Sequence, residues 1–297
     1  MGRREHYGDF YDGPRRDGRP LALVHGNCQA EALRVLLAGS ATLPWQVVRV
    51  PPVHELEAAD LPSLDRLLAG STLLISQPVS PGYRDLPLGT AELAGRLAPG
   101  ASVLRWPVVR WTGLHPFQAI VRVPDGAEPP VVPYHDLRTL TGREPVAPDL
   151  VGAAEQSRAE LARREQRDTD VAVSDLLTGL GAGAVHTLNH PGNGLLIGLA
   201  HRIQQALGSP ADAADPGREL LGGVRAPLEP AALEALGLPA DRAREHWLVG
   251  GEPVPAGQVR AAQRAWYAAR PDAVEAGLAR HSERLATLGL ASTAPVP

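Results

Sequence analysis

An α/β fold, a parallel sheet flanked by helices with a mainly helical C-terminal half, is predicted by three observations. Apolar runs at 21–25, 46–50, 73–77 and 102–106 are short and largely uninterrupted, as in strands buried on both faces. Stretches with helical spacing separate them, giving the βαβα rhythm of a parallel sheet. Three of the runs end beside residues suited to chemistry, Cys28, Gln77 and Arg105-Trp106, at the strand ends where such sheets gather ligands.

Residues 1–19 are rich in Arg, Asp and Gly and read as a flexible N-terminal tail, although Tyr7, Phe10 and Tyr11 could dock onto the body. The first strand, 21–25, leads through Gly26-Asn27, residue types that tolerate a sharp turn, into a helix over 29–38. A second strand over 46–50 precedes a short helix at 61–68, and a third strand spans 73–77. Thr90 reads as the cap of a helix over 90–97, with Glu92 near its positive end. Pro107 ends the fourth strand. Residues 107–150, rich in Pro and Gly, read as covering loops, so that 20–150 forms the α/β core. From 151 to 297 the pattern is helical and is expected to complete the same domain. It contains a helix within 155–180, another at 195–207, broken turns over 210–239, and a terminal helix over 257–288 interrupted near Pro271.

Composition narrows the function. Of the 297 residues, 44% are hydrophobic, enough for a sizeable core, and the formal net charge is -4. That charge argues against a nucleic-acid partner, and no apolar stretch is long enough to span a membrane. The N-terminus lacks the apolar segment of a secretory signal, so a cytoplasmic protein is expected. All 29 basic residues are arginine, which excludes Schiff-base chemistry and a phosphate-binding loop lysine. The single cysteine excludes an internal disulfide and a cysteine-rich metal site.

Cys28 sits where a strand hands over to a helix N-terminus. There the positive end of the helix dipole favours a thiolate, and backbone N–H groups could receive an oxyanion. A lone cysteine is also often a small buried hydrophobe, so the residue needs partners. Among ten histidines, His190 is the best candidate base, because it lies in a polar loop before Pro191 at the start of a helix. A purely local role at the helix start is the alternative. Asn189 or Asn193 could orient its ring or contact substrate, or simply cap the helix. Gly26 and Asn27 shape the turn and are expected to contact an oxyanion or substrate. Gln29 and Gln77 could donate to an oxyanion. Tyr83 and Arg84 follow Gln77, and Arg84 could pair with a phosphate or carboxylate. His186 and His190 are spaced four apart, but Pro191 breaks the helix a zinc pair would need, and no metal is expected.

The run Gly26-Asn27-Cys28-Gln29-Ala30 resembles the opening motif of the WcbI-type polysaccharide-biosynthesis family, acyltransferases that bind coenzyme A. The resemblance continues through Ser76-Gln77-Pro78-Val79 with Tyr83-Arg84, then Arg105-Trp106-Pro107 with His115-Pro116. It is seen again in Pro133-Tyr134-His135-Asp136 and Asn189-His190-Pro191, in the family's order. The arrangement also looks like a cysteine version of the SGNH hydrolase plan, on a flavodoxin-like core, with Thr187 where that plan has the aspartate preceding its histidine. The resemblance implies transfer of an acyl group, chiefly acetyl, from coenzyme A to a hydroxyl or amine of a saccharide or other biosynthetic intermediate. It implies Cys28 and His190 as catalytic residues, and Tyr83, Arg84, Arg105, His115, Tyr134 and His135 along the coenzyme or substrate pocket. A thioesterase or esterase on the same residues, or a non-catalytic binding protein of a biosynthetic cluster, are the competing readings. The helical second half could form a lid, a homodimer surface or both.

Overall fold

The computed structural model describes residues 2–291. Its centre is a four-stranded, all-parallel sheet built from β1 (Leu21–His25), β2 (Gln46–Val48), β3 (Ser71–Ser76) and β4 (Ser102–Arg105), in the order β2-β1-β3-β4. Every residue of β1 is buried, which explains its unbroken apolar run. The chain leaves β1 for β2 on one side and returns to β3 on the other. The point where strand order reverses therefore lies at the carboxyl ends of β1 and β3, the usual ligand position in such sheets.

The chain divides into two compact units, the first running to Val109 and adding Ala162–Leu177 and Gly192–Leu221. It holds the parallel sheet with helices Cys28–Ala38, Leu61–Ala69, Thr90–Ala94 and Asn193–Ala206. The second comprises Arg110–Leu161, Thr178–Pro191 and the chain from Gly222.

Several expectations change. The tail is docked: Arg3–His6 and Gly8–Asp12 are helical, and Tyr7 and Phe10 are buried against Leu21, Leu64 and Leu68. Tyr11 donates to Asp60, and Arg66 donates to the Tyr11 carbonyl. Two aromatics per turn or so of helix suffice to hold an otherwise polar segment. Phe10 is fully enclosed, so Phe10→Ala is expected to cost about 3–5 kcal/mol, read as a lowered midpoint in urea denaturation.

Thr90 is not the cap of its helix. Its hydroxyl donates to the Gln77 carbonyl, while the Glu92 carboxylate accepts from the N–H groups of Gly82 and Gly89. The C-terminal region is helical at Ala256–Ala268, Pro271–Arg280 and Ser282–Thr287, yet it also carries an antiparallel sheet of Val224–Arg225, His246–Val249 and Glu252–Pro255. Gly250 and Gly251, both at positive φ, make the two-residue turn of its hairpin. Likewise the segment 107–150, read as covering loops with short helices, has a short helix, Leu137–Thr141, but also a strand pair, Gln118–Ala119 with His135–Asp136.

Candidate functional site

In the first unit, the turn after β1 is tied down by amide side chains. Asn27 caps the helix Cys28–Ala38: its Oδ1 accepts from the Gln29 N–H at 2.9 Å, and its carbonyl accepts from the Ala30 N–H. Its own N–H donates to Gln77 Oε1 at 2.8 Å. A Cβ at Gly26 would come within 2.4 Å of that oxygen, so only glycine lets Gln77 approach. Gln77 Nε2 donates to Gln29 Oε1, and Gln29 clamps Val109 from both sides, donating to its carbonyl and accepting from its N–H. Cys28 emerges from this frame as the first helical residue, half-buried rather than sealed. The positive end of the helix dipole lies at this residue.

This geometry gives Gln29 and Gln77 a bracing role at the turn. Gln29 is fully buried, its N–H is held by Asn27, and its side-chain amide donates to the Val109 carbonyl and accepts from the Val109 N–H. Gln77 is equally enclosed and bonds both Gln29 and Asn27. Both amides set the position of the turn that carries the thiol.

Four further candidates in this unit also point elsewhere. Arg105 forks onto Asp170 through its guanidinium and its N–H. Arg84 donates to the His54 carbonyl, and Tyr83 packs against the core around Leu88. Asn193 begins its helix, accepting from the Leu220 N–H and donating to the Arg218 carbonyl, so it braces a loop.

In the second unit, a different polar cluster surrounds His190. The Tyr134 hydroxyl donates to Asn189 Oδ1 and accepts from the Thr187 hydroxyl, both at 2.9 Å. Its remaining lone pair faces His190 Nδ1 at 3.4 Å, with the two rings edge to face. This favours a proton on Nδ1 and leaves Nε2 as the basic nitrogen. Tyr134 thus faces the ring that Asn189 or Asn193 was expected to orient, and Asn189 reaches it through the Tyr134 hydroxyl. Thr187 acts one step back, through Tyr134. Trp247 stacks on Tyr134, and Gln263 donates to the Tyr134 carbonyl. Burial pushes the His190 pKa down to about 4, with the neighbouring His186 charge adding to the effect, so the ring is neutral at ordinary pH.

His115 and His135 line a cavity of about 590 Å³ in the same unit. His115 Nδ1 lies 3.1 Å from the Pro227 carbonyl, and His135 Nδ1 is 2.8 Å from the Tyr267 hydroxyl. Sequence reasoning missed Gln118, Trp247, Arg260 and Gln263, which also line it. The spacing of Arg260 and Gln263, three apart on one helix and so on one face, was the available signal.

Three buried histidines and the half-buried His190 make stability pH-dependent. Burial pushes His25, His115, His135 and His190 each down to about 4, the nearby carbonyls of Leu88, at His25, and of Pro227 and Val185, at His115, offsetting this only in part. The unfolded chain binds these protons from about pH 6.5, so their contribution is complete above that pH and is lost as pH falls toward 4. His25 and His115, both fully enclosed, each account for on the order of 3 kcal/mol. Urea midpoints measured between pH 7 and 4 should fall steadily; a flat profile would contradict neutral burial.

A family model, polysaccharide biosynthesis enzyme WcbI, matches residues 21–212. The fold is similar to a solved structure of WcbI, described as a novel polysaccharide biosynthesis enzyme, in its native form without the disulfide bond between coenzyme A and a cysteine of that protein. The TM-score is 0.74 at 21% identity, covering 91% of this chain and 98% of the other. No curated protein matches the sequence. The matched segment includes the Gly-Asn-Cys-Gln turn, the parallel sheet and the Tyr134–Asn189–His190 cluster, and this chain belongs to the WcbI family of polysaccharide biosynthesis enzymes.

Proposed function

We propose that the protein is an acyltransferase that moves an acyl group, chiefly acetyl, from coenzyme A to a hydroxyl or amine of a saccharide or related intermediate. The observation that carries this reading is Cys28, half-buried at a helix N-terminus, at the strand ends where the sheet order reverses. The coenzyme A named for the similar WcbI structure supports it.

In the reaction, the Cys28 thiolate attacks the thioester carbonyl and the carbon–sulfur bond to coenzyme A breaks, releasing its thiolate. One thioester replaces another, so the acyl-cysteine lies close in energy to its donor. The acceptor hydroxyl or amine then attacks the acyl-cysteine, its proton passes to a general base, the role we propose for His190 Nε2, and Cys28 leaves as thiolate. General-base help of this kind contributes roughly 10²–10⁴-fold. Tyr134, fixed by Asn189 and Thr187, orients the imidazole.

Intact mass after exposure to acetyl-CoA tests the reading. The expected result is an acetyl adduct on the wild type that is absent from Cys28→Ser. Coenzyme A release that needs an acceptor supports transfer; release at full rate without one assigns a hydrolase instead.

A further inference from the structure

We infer that Gln118 is a positioning residue for His190, fixing from outside the short turn that carries the imidazole. Thr187 pairs with His190 across the antiparallel strands Val185–Thr187 and His190–Pro191, which leaves only Leu188 and Asn189 between them. Hairpin turns of that length favour residues at positive φ, because their twist then matches the strands. Neither Leu188 nor Asn189 is at positive φ. The strands add little, since their register is irregular between Val185 and Thr187. Neighbouring segments must therefore impose the shape of this turn.

Two hydrogen bonds do so, both on Leu188. Gln118 Oε1 accepts from the Leu188 N–H at 2.6 Å, and the Trp111 N–H donates to the Leu188 carbonyl at 2.8 Å. The bond from Trp111 is made by backbone alone and asks nothing of that side chain. The bond from Gln118 needs a side-chain acceptor, and both Gln118 and Leu188 are buried. A buried N–H without an acceptor is rare in a folded protein, so the Gln118 oxygen selects this arrangement of the turn.

Gln118 is itself held from two sides within the second unit. Its strand pairs with His135–Asp136, placing Gln118 opposite Asp136, just after Tyr134. Tyr134, whose hydroxyl faces the imidazole, and Gln118, which holds the turn, are thereby fixed relative to each other. On the other side Arg284 donates through Nη2 to the Gln118 carbonyl at 2.6 Å and to the Pro116 carbonyl. Arg284 forms no ion pair among the described residues, and burial lowers its pKa to about 10, so it stays charged at neutral pH. A charge kept without a counter-ion is costly, and here its donors go to the two carbonyls flanking Phe117.

The kinetic consequence rests on the acyl-transfer reading, in which His190 acts when the acceptor attacks the acyl-cysteine. A displaced imidazole then leaves acylation of Cys28 intact and slows the second step. General loss of the fold would slow both.

The experiment compares Gln118→Met, which keeps length and removes the acceptor, with Gln118→Glu, which keeps an acceptor oxygen near the unpaired Arg284 charge. Arg284→Gln loosens the same strand from its other side and serves as a second variant. Acetyl-CoA and glucosamine, which offers both amine and hydroxyl groups, are supplied while intact mass and coenzyme A release are followed. Nitrogen spectra of ¹⁵N-histidine protein at neutral pH, with His190→Gln identifying the signal, report the ring independently of activity. Expected for Gln118→Met is transfer slowed roughly tenfold or more, with acetyl-Cys28 accumulating. The His190 signal should move from a proton on Nδ1 toward the Nε2–H form that a released imidazole prefers, and Gln118→Glu should restore both readings. Unchanged transfer in Gln118→Met, equal loss in Gln118→Glu, or slowed transfer with an unchanged His190 signal overturns the role. If the wild type takes no acetyl group, the acyl-transfer reading fails and the nitrogen spectra alone decide: a changed His190 signal in Gln118→Met or Arg284→Gln upholds the role, and an unchanged one overturns it.

Discussion

Cys28→Ala should abolish acyl transfer, lowering the rate at least ~10³-fold, while leaving the fold almost untouched. The argument rests on what surrounds the thiol. The turn is held by Asn27, Gly26, Gln77 and Gln29 through bonds that do not involve the sulfur. The side chain is half-buried, so removing one sulfur atom empties little core. Thermal midpoints of wild type and variant should therefore nearly coincide. Cys28→Ser is the sharper comparison, because serine keeps the volume but, without a depressed pKa, presents a hydroxyl instead of a thiolate. Coenzyme A release in the presence of saccharide acceptors, followed with a thiol reagent, measures the loss. A serine variant within threefold of wild type would remove the covalent route and leave Cys28 as a lining residue.

His190→Gln should lower the rate by roughly 10²–10⁴-fold with a smaller change in substrate affinity, as expected for loss of a general base. Glutamine preserves bulk and polarity but cannot take up a proton. The pH profile supplies an independent reading. With its pKa pushed down to about 4, His190 is unprotonated over the whole neutral range, and its contribution disappears only as pH falls through about 4. An acid limb near 6.5 would mean that the imidazole is exposed in the working enzyme. Tyr134→Phe keeps the ring stacked on Trp247 and removes only the hydroxyl that faces Nδ1, so it should lower the rate less than His190→Gln does. If Tyr134→Phe costs as much as His190→Gln, the hydroxyl itself contacts the reacting groups.

Why some of these features were readable and others were not follows from the range over which each is encoded. Strands β1, β3 and β4, the Gly26-Asn27 turn and the helix beginning at Cys28 are local: apolar runs, a glycine and a capping asparagine within a few residues of each other. The Gly250-Gly251 hairpin was local as well, and was overlooked because helical periodicity dominated its surroundings. The docked N-terminal segment could be anticipated from three aromatics, although its polar composition suggested fraying.

The residue types at the candidate site, and their chemical character as thiol, imidazole and amide, were present in the linear chain. Their roles were not. Gln29 bonds partners 48 and 80 residues away, and Tyr134 reaches its nearest polar neighbours across more than 50. Hydrogen bonds between distant segments leave no periodic trace, because any donor can meet any acceptor once the backbone brings them close. Folding alone decided that two glutamines brace the turn carrying Cys28, and that a tyrosine hydroxyl faces the ring of His190.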